Sequence, residues 1–313
     1  MPTLRIIYQN QADLSTTTIT SSTNQSASTT VSNLKLDTKS QVWRTSPTTI
    51  SSTQVKGDLI VDLGSLKTVG GVVLAFTNLN SSSATIRVRG YTSPPAHSSS
   101  SGSDSINFPI VNGTSVVDTG NIVCCPWNTM DISDWGTNPV GSSNYSYGGG
   151  TYARVWLNTA QAATLVRYLS IEVTDYYTTS STGRYIEVSK LIIGKYWSPK
   201  YNAGYGVSAG IKDMSEHTRT QSGDLLTTRG PMYQCVNFNL EWLSDSDRQE
   251  MAKILTINGM SRPLLISLFP DGTTTEEYER ERAHQIYGKL SQLSQITYNN
   301  PFMYSIPLEL EEV

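Results

Sequence analysis

Charged side chains are scarce in this chain, 16% of 313 residues, and no run of lysine or arginine occurs anywhere. With a formal net charge of −3, no basic face is available to grip a phosphate backbone, which argues against sequence-specific nucleic-acid binding. No stretch reaches the roughly 18 apolar residues of a membrane span. The opening residues, "MPTLRIIYQNQADLSTTTIT", lack the long apolar middle and small-residue cleavage site of a secretory signal. Cysteines number only three. Cys124 and Cys125 are neighbours that could bond to each other only under strain, and Cys235 falls in a strand-like run. All three read as reduced thiols, as in a protein made in a cytosol. No nucleophile elbow, P-loop, zinc helix or dinucleotide fingerprint is present. His97, His217 and His284 are scattered through polar segments and read as solvated. No catalytic residue, metal site or cofactor is therefore expected.

What the chain does have is serine, threonine, asparagine and glycine in quantity, which favours short strands and polar turns. A short apolar strand, "PTLRIIY", is followed by a polar stretch from Leu14 to Ser32 with no core of its own, and residues 1–34 read as an N-terminal strand and arm. From Lys35 strands dominate: "DLIVDLG", "TVGGVVLAFTN", "TIRVRGYTS", "YARVWLN", "RYLSIEVTDY" and "RYIEVSKLIIGKYW". Many short strands joined by turns, without helical periodicity, predict a β-sandwich or jelly roll over 35–197. "SPKYNAGYG" marks a second boundary, and 198–313 reads as strands with a helix. Ser244 with Asp247 caps that helix, Met251, Ile254 and Leu255 share its apolar face, and Gly259 ends it. Thr274 with Glu277 would cap a short charged helix, "EEYERERA".

The chain closes on "YNNPFMYSIPLELEEV", in which Tyr304, Ile306, Leu308 and Leu310 alternate with polar residues. That period of two predicts a half-buried strand. Pro307 lacks an amide hydrogen, so an edge position is expected, where another chain could add on.

Two blocks resemble known families. "VWRTS" (42–46), "DLIVDLGSLKTVGGVVL" (58–74), "RYLSIEV" (167–173) and "YIEVSKLIIGKYW" (185–197) follow in the order seen in the discoidin family, the coagulation factor 5/8 C-terminal or galactose-binding-like fold. The resemblance implies an eight-stranded jelly roll whose end loops often bind sugars, with Trp43 and Arg44 at a position that is usually core. Asp37 is followed by Thr38 where relatives that bind calcium usually have glycine. The block from Tyr201 to Val313 resembles the ring-forming domain of tailed-phage distal tail and minor tail proteins, through Gly288–Ser291, Ile296–Tyr298 and Ile306–Glu312. This second resemblance implies a β-sandwich flanked by one helix, in a virion protein made in the host bacterial cytoplasm. It would assemble as a three- or six-fold ring at the tail tip, beside tube and hub proteins.

Two groups of site residues follow. Trp127, Asp131, Asp134 and Trp135, in "PWNTMDISDWG", suit a glycan such as a host-surface polysaccharide, since indole faces stack on sugar C–H groups and carboxylates accept from hydroxyls. The same tryptophans could instead plug the end of the sandwich, and a glycan hydrolase would need Asp131 and Asp134 as its carboxylate pair. For a ring, Ile306, Leu308, Glu309 and Leu310 would form the assembly edge, and Glu277, Arg280 and Arg282 could bridge neighbours. Glu309, Glu311 and Glu312 would then leave surplus carboxylates to repel DNA in a lumen. A lectin or adhesin without any ring is the rival reading.

Overall fold

The computed structural model describes residues 3–21, 28–47, 52–79, 81, 83–97, 111–124, 151–228, 230–272, 274–300 and 303–313. The chain is mainly β and divides into two compact units. Residues 3–8 of the expected N-terminal arm fall in the C-terminal unit, and the described residues from 9 to 196 form the other.

In chain order, β1 (Arg5–Ile7) precedes the first unit. That unit begins with β2 (Thr18–Thr20), β3 (Trp43–Arg44), β4 (Ser52–Thr68), β5 (Gly71–Thr77) and β6 (Thr85–Tyr91). Four short strands follow: β7 (Ala96–His97), β8 (Val111–Asn112), β9 (Val117–Asp118) and β10 (Ile122–Val123). After them come β11 (Thr151–Trp156), α1 (Thr159–Ala163), β12 (Leu165–Ser181) and β13 (Glu187–Gly194). One sheet runs β10-β6-β12-β4-β2 with β9 beside β6, and the other runs β11-β5-β13-β3, every pairing antiparallel. Alternate residues of both sheets meet in one core, among them Leu59, Val61, Ile86, Val88, Leu169 and Ile171 from the first and Val72, Leu74, Val155, Val188 and Leu191 from the second. This is the β-sandwich that the alternating runs predict. Trp43 is fully buried in it, as the discoidin resemblance implies.

Two segments, residues 9–14 and 35–39, guard the edge of β13 beyond the two-residue β3. Asn10 imitates a strand there: its side chain donates to the Leu191 carbonyl at 2.8 Å and accepts from the Ile193 amide at 2.9 Å. Ser189 Oγ donates to the Lys39 carbonyl at 2.8 Å. Between them Lys190, buried at mid-strand, places its ammonium 2.8 Å from Asp13 Oδ1, 2.8 Å from Asp37 Oδ1 and 3.0 Å from the Lys35 carbonyl. A buried cation with three oxygen partners thus holds three separate segments together.

The C-terminal unit continues through β14 (Ser208–Asp213), β15 (Glu216–Arg219), β16 (Leu225–Thr228), β17 (Met232–Leu243) and α2 (Asp245–Asn258). It ends with β18 (Leu264–Ser267), α3 (Thr275–Ala283), β19 (Gln285–Leu290), β20 (Thr297–Asn300) and β21 (Met303–Glu312). Ser244 and Asp247 form a reciprocal capping box on α2, and Thr274 and Glu277 form another on α3. Met251 and Ile254 of α2 enter the core. A seven-stranded sheet runs β1-β18-β19-β21-β17-β14, with β20 also beside β21.

β21 is therefore not an edge, which corrects the expectation drawn from Pro307. On one side it pairs with β17 from Tyr304 to Glu311. On the other, β20 pairs with Met303–Ser305 and β19 with Leu310–Glu312. Pro307 falls in the gap where one partner gives way to the next, so a missing amide hydrogen can be tolerated inside the sheet. The edge on the far side of β18 is β1, from the other end of the chain. It is itself closed by a bridge in which the amides of Ile6 and Trp197 each donate to the other's carbonyl, at 2.9 and 2.8 Å.

Candidate functional site

The residues that draw attention gather at one end of the jelly roll, where β5 finishes and β13 begins. β5 bulges there against β11, the pairing shifting between Thr151 opposite Thr77 and Ala153 opposite Leu74. Phe76, inside the bulge, has φ of 55°. A bulky side chain in the left-handed region costs roughly 1–2 kcal/mol. Neighbours hold it in place: the Tyr152 ring lies 5.4 Å away and Lys39 Nζ 4.8 Å above the Phe76 ring. Thr77 and Thr151 share a hydroxyl hydrogen bond of 2.6 Å, and Thr151 Oγ1 also donates to the Leu79 carbonyl at 3.0 Å.

The bulge delivers Asn78 to the start of β13, where its amide acts as a clamp. Nδ2 donates to the Tyr185 carbonyl at 2.8 Å, and Oδ1 accepts from the Glu187 amide at 2.8 Å. Glu187, with its side chain buried, ion-pairs with Arg44, whose guanidinium lies 4.3 Å over the Tyr185 ring. Beside this, Arg184 stacks 3.7 Å over Tyr177. Burial, with Asp175 close by, pushes the Tyr177 phenol well above its ordinary value, so it stays protonated. Asp175 Oδ1 accepts from the amides of Tyr176 and Ser81 at 2.9 and 3.3 Å, tying the connection between β5 and β6 to β12. The product is a rim of two half-buried tyrosines, each capped by a guanidinium. Aromatic faces and N–H donors side by side suit polyhydroxylated ligands. Among the described residues no cluster of three or more His, Cys, Asp or Glu could hold a metal ion.

Trp127, Asp131, Asp134 and Trp135 lie outside the described residues. The residues that flank their segment are at this rim: the Cys124 amide donates to the Ala84 carbonyl just before β6, and Thr151 pairs with Thr77. Nothing in the sequence pointed to Phe76 or Asn78, because a left-handed bulge carries no signal when its residue is not glycine. Arg184 and Tyr185 were legible only as part of a strand.

The residues expected to assemble a ring are placed differently. Ile306, Leu308 and Leu310 are buried in the core of the C-terminal unit and present no open surface. Glu311 pairs with Lys212, Glu309 lies 3.9 Å from the same ammonium, and Glu312 accepts from the Gln234 amide at 3.0 Å. Glu277 closes the α3 capping box, accepting from the Thr274 amide at 3.2 Å. Arg280 lies 5.2 Å over the Phe269 ring, and Arg282 sits in the last turn of α3.

No protein-family profile matches this chain, and no curated protein matches it in sequence. Solved structures share a loose likeness. A Ruminococcus gnavus fucosidase in complex with fucose is 14% identical with a TM-score of 0.35, covering 61% of this chain and 27% of its own, so this chain spans about a quarter of that enzyme. Chitosan-binding module 1 of a Paenibacillus sp. IK-5 chitosanase/glucanase is 16% identical with a TM-score of 0.34, covering 60% of this chain and 99% of the module. A fucolectin from striped bass (Morone saxatilis) serum is 12% identical with a TM-score of 0.32, covering 62% of this chain and 49% of the lectin.

Proposed function

We propose that this chain is a carbohydrate-recognition protein that binds glycan at the tyrosine–arginine rim of its jelly roll. The observation that carries this reading is the strained bulge at Phe76, which delivers the Asn78 clamp to the backbone of Tyr185 and Glu187, beside the rim of arginine-capped tyrosines. Backbone strain of this kind persists where the surrounding structure over-determines it, and it clusters at binding sites. Trp127 and Trp135 would supply two further stacking surfaces, and Asp131 and Asp134 would accept from sugar hydroxyls. The ligand class is a surface polysaccharide or glycoconjugate, held without being cleaved.

Glycan-array screening followed by calorimetry tests it. The intact chain is expected to retain at least one glycan. Arg184→Ala and Trp127→Ala should each lower affinity tenfold or more while leaving the unfolding temperature within a few degrees. Silence of the intact chain across the array would refute the reading, and shortening of the polysaccharide on incubation would replace it with a hydrolase. Assembly around a tail tube, the other expectation, came from the resemblance of the closing block, and the edge it was to use, β21, lies inside the sheet.

A further inference from the structure

The outer face of the jelly roll's larger sheet carries polar groups that are buried without being given partners. Along β12, Leu169 and Ile171 enter the core, so Ser170 between them faces outward. Along β6, Val88 enters the core, and Arg89 and Tyr91 face outward. Ser170 lies directly opposite Arg89 on one side and Ile60 on the other. Tyr168, the next outward residue of β12, lies opposite Tyr91. Ser170 is thus the shortest side chain among long ones, Ile60, Tyr168, Glu172, Arg89 and Tyr91, and forms the floor of a pit. Directly opposed residues stand about 4.5–5.5 Å apart at Cβ, and diagonal ones about 7–8 Å, within reach of an aromatic side chain.

The pit is closed to solvent. Ser170 is 1% exposed and Tyr91 2%. The chain beyond β6 folds back through the pairing of β7 with β8 and sets Gly113 against the Tyr91 ring, where a Cβ would lie 3.5 Å away. Ile60 and Tyr168 pack beside Tyr91. In this setting Ser170 Oγ, Tyr91 Oη and Arg89 Nε each lack a hydrogen-bond partner among the described residues. The far end of Arg89 is committed to Glu172. A buried polar group without a partner forfeits its hydration, and an apolar side chain of the same shape would be cheaper. Phenylalanine and alanine would fill these places, yet tyrosine and serine stand there. Three such groups at adjacent register positions of one face call for a common partner.

We propose that the pit over Ser170 is a binding site for one water molecule. The donor set suits it: Arg89 Nε can only donate, whereas the Ser170 and Tyr91 hydroxyls can donate or accept. One water oxygen accepts from Arg89 and from one hydroxyl, and a water hydrogen is donated to the other. Three bonds are the usual complement of an internal water. The bound molecule pins β6 to β12 outside the core and steadies the Arg89 guanidinium against Glu172. The inference stands whether or not the rim binds glycan.

Calorimetry on Tyr91→Phe, Ser170→Ala and the double variant tests it by the sign of the effect. Bonded to a shared water, each hydroxyl stabilises the fold. Each single variant should then unfold roughly 2–4 °C lower, the shift of about one hydrogen bond in a domain of this size. The double variant should lose clearly less than the sum, because the first substitution already releases the water. Left as orphans, the hydroxyls burden the fold, and removing them should raise the unfolding temperature. Oxygen-17 relaxation dispersion counts long-lived internal waters in solution, and the double variant should hold one fewer than the intact chain. Unfolding temperatures that rise or stay put, additive losses, or an unchanged water count overturn the proposal.

Discussion

Removal of residues 303–313 is expected to leave the C-terminal unit unfolded while the jelly roll keeps its own cooperative transition. β21 lies between β17 on one side and β19 and β20 on the other, so its loss orphans ladder hydrogen bonds on both flanks. It also removes Ile306, Leu308 and Leu310 from the core. Each buried side chain of that size contributes about 1.5–3 kcal/mol. Three together rival the total of about 5–15 kcal/mol that holds a typical domain folded. An edge strand would be a lesser loss, since only one flank would be exposed. Limited proteolysis with near-ultraviolet dichroism distinguishes the two: rapid cleavage between 200 and 300 is expected, and resistance equal to that of the intact chain would contradict the central position of β21. Gly288→Ala makes the same point without truncation. A Cβ there would lie 2.2 Å from the Glu311 carbonyl oxygen, which belongs to the backbone of β21 and can give way only if β19 and β21 part. A loss of about 3 kcal/mol, at the upper end for overpacking, is expected in denaturant titration of the C-terminal unit.

Lys190→Met is expected to destabilise the jelly roll by about 3 kcal/mol, the low end for breaking a buried ion pair, or roughly 6–12 °C in its unfolding temperature. The Lys190 side chain is 2% exposed, whereas the Asp13 and Asp37 side chains are 34% and 38% exposed. Water can reach the orphaned carboxylates, which is why the loss stays at the low end. The deficit should depend on pH. Burial raises the Asp13 carboxyl above its ordinary 3.8, while Lys190 pulls it back down. A raised folded-state value means that Asp13 contributes stability below its ordinary value and loses that contribution as pH rises through the raised one. Removing Lys190 removes the main opposing pull, so the value climbs further. The variant should therefore lie closer to the wild type at about pH 4 than at about pH 7. Calorimetric scans at the two pH values check this, and an equal deficit at both would mean that Lys190 acts through packing alone.

How much was legible from the amino acids alone varies with the range of the interaction involved. The two capping boxes, Ser244–Asp247 and Thr274–Glu277, close within three residues, and both could be read directly from spacing. The jelly-roll core was equally plain, because side chains on a strand alternate whatever the strand pairs with, and Ile86 and Val88 had to face the same way. Pro307 misled because the rule that places proline at an edge concerns one missing hydrogen bond. A strand that changes partners at that residue satisfies the rule from within the sheet. Residues 3–8 gave no hint that they would join β18, more than 250 positions away in the chain. Phe76 and Asn78 form a site only because β11 and β13 arrive on either side of the bulge.

By itself, then, the sequence determined what each short segment could become: strand or helix, which face turns inward, where a helix starts, and that no metal-ligand spacing or phosphate loop was available. Tertiary structure decided which strand lies next to which, and so which strand ends up inside a sheet and which at its edge. The physical reason is that alternation and capping are set by covalent geometry within a few residues. Pairing order is set by the competition of every exposed backbone group for a partner across the whole chain.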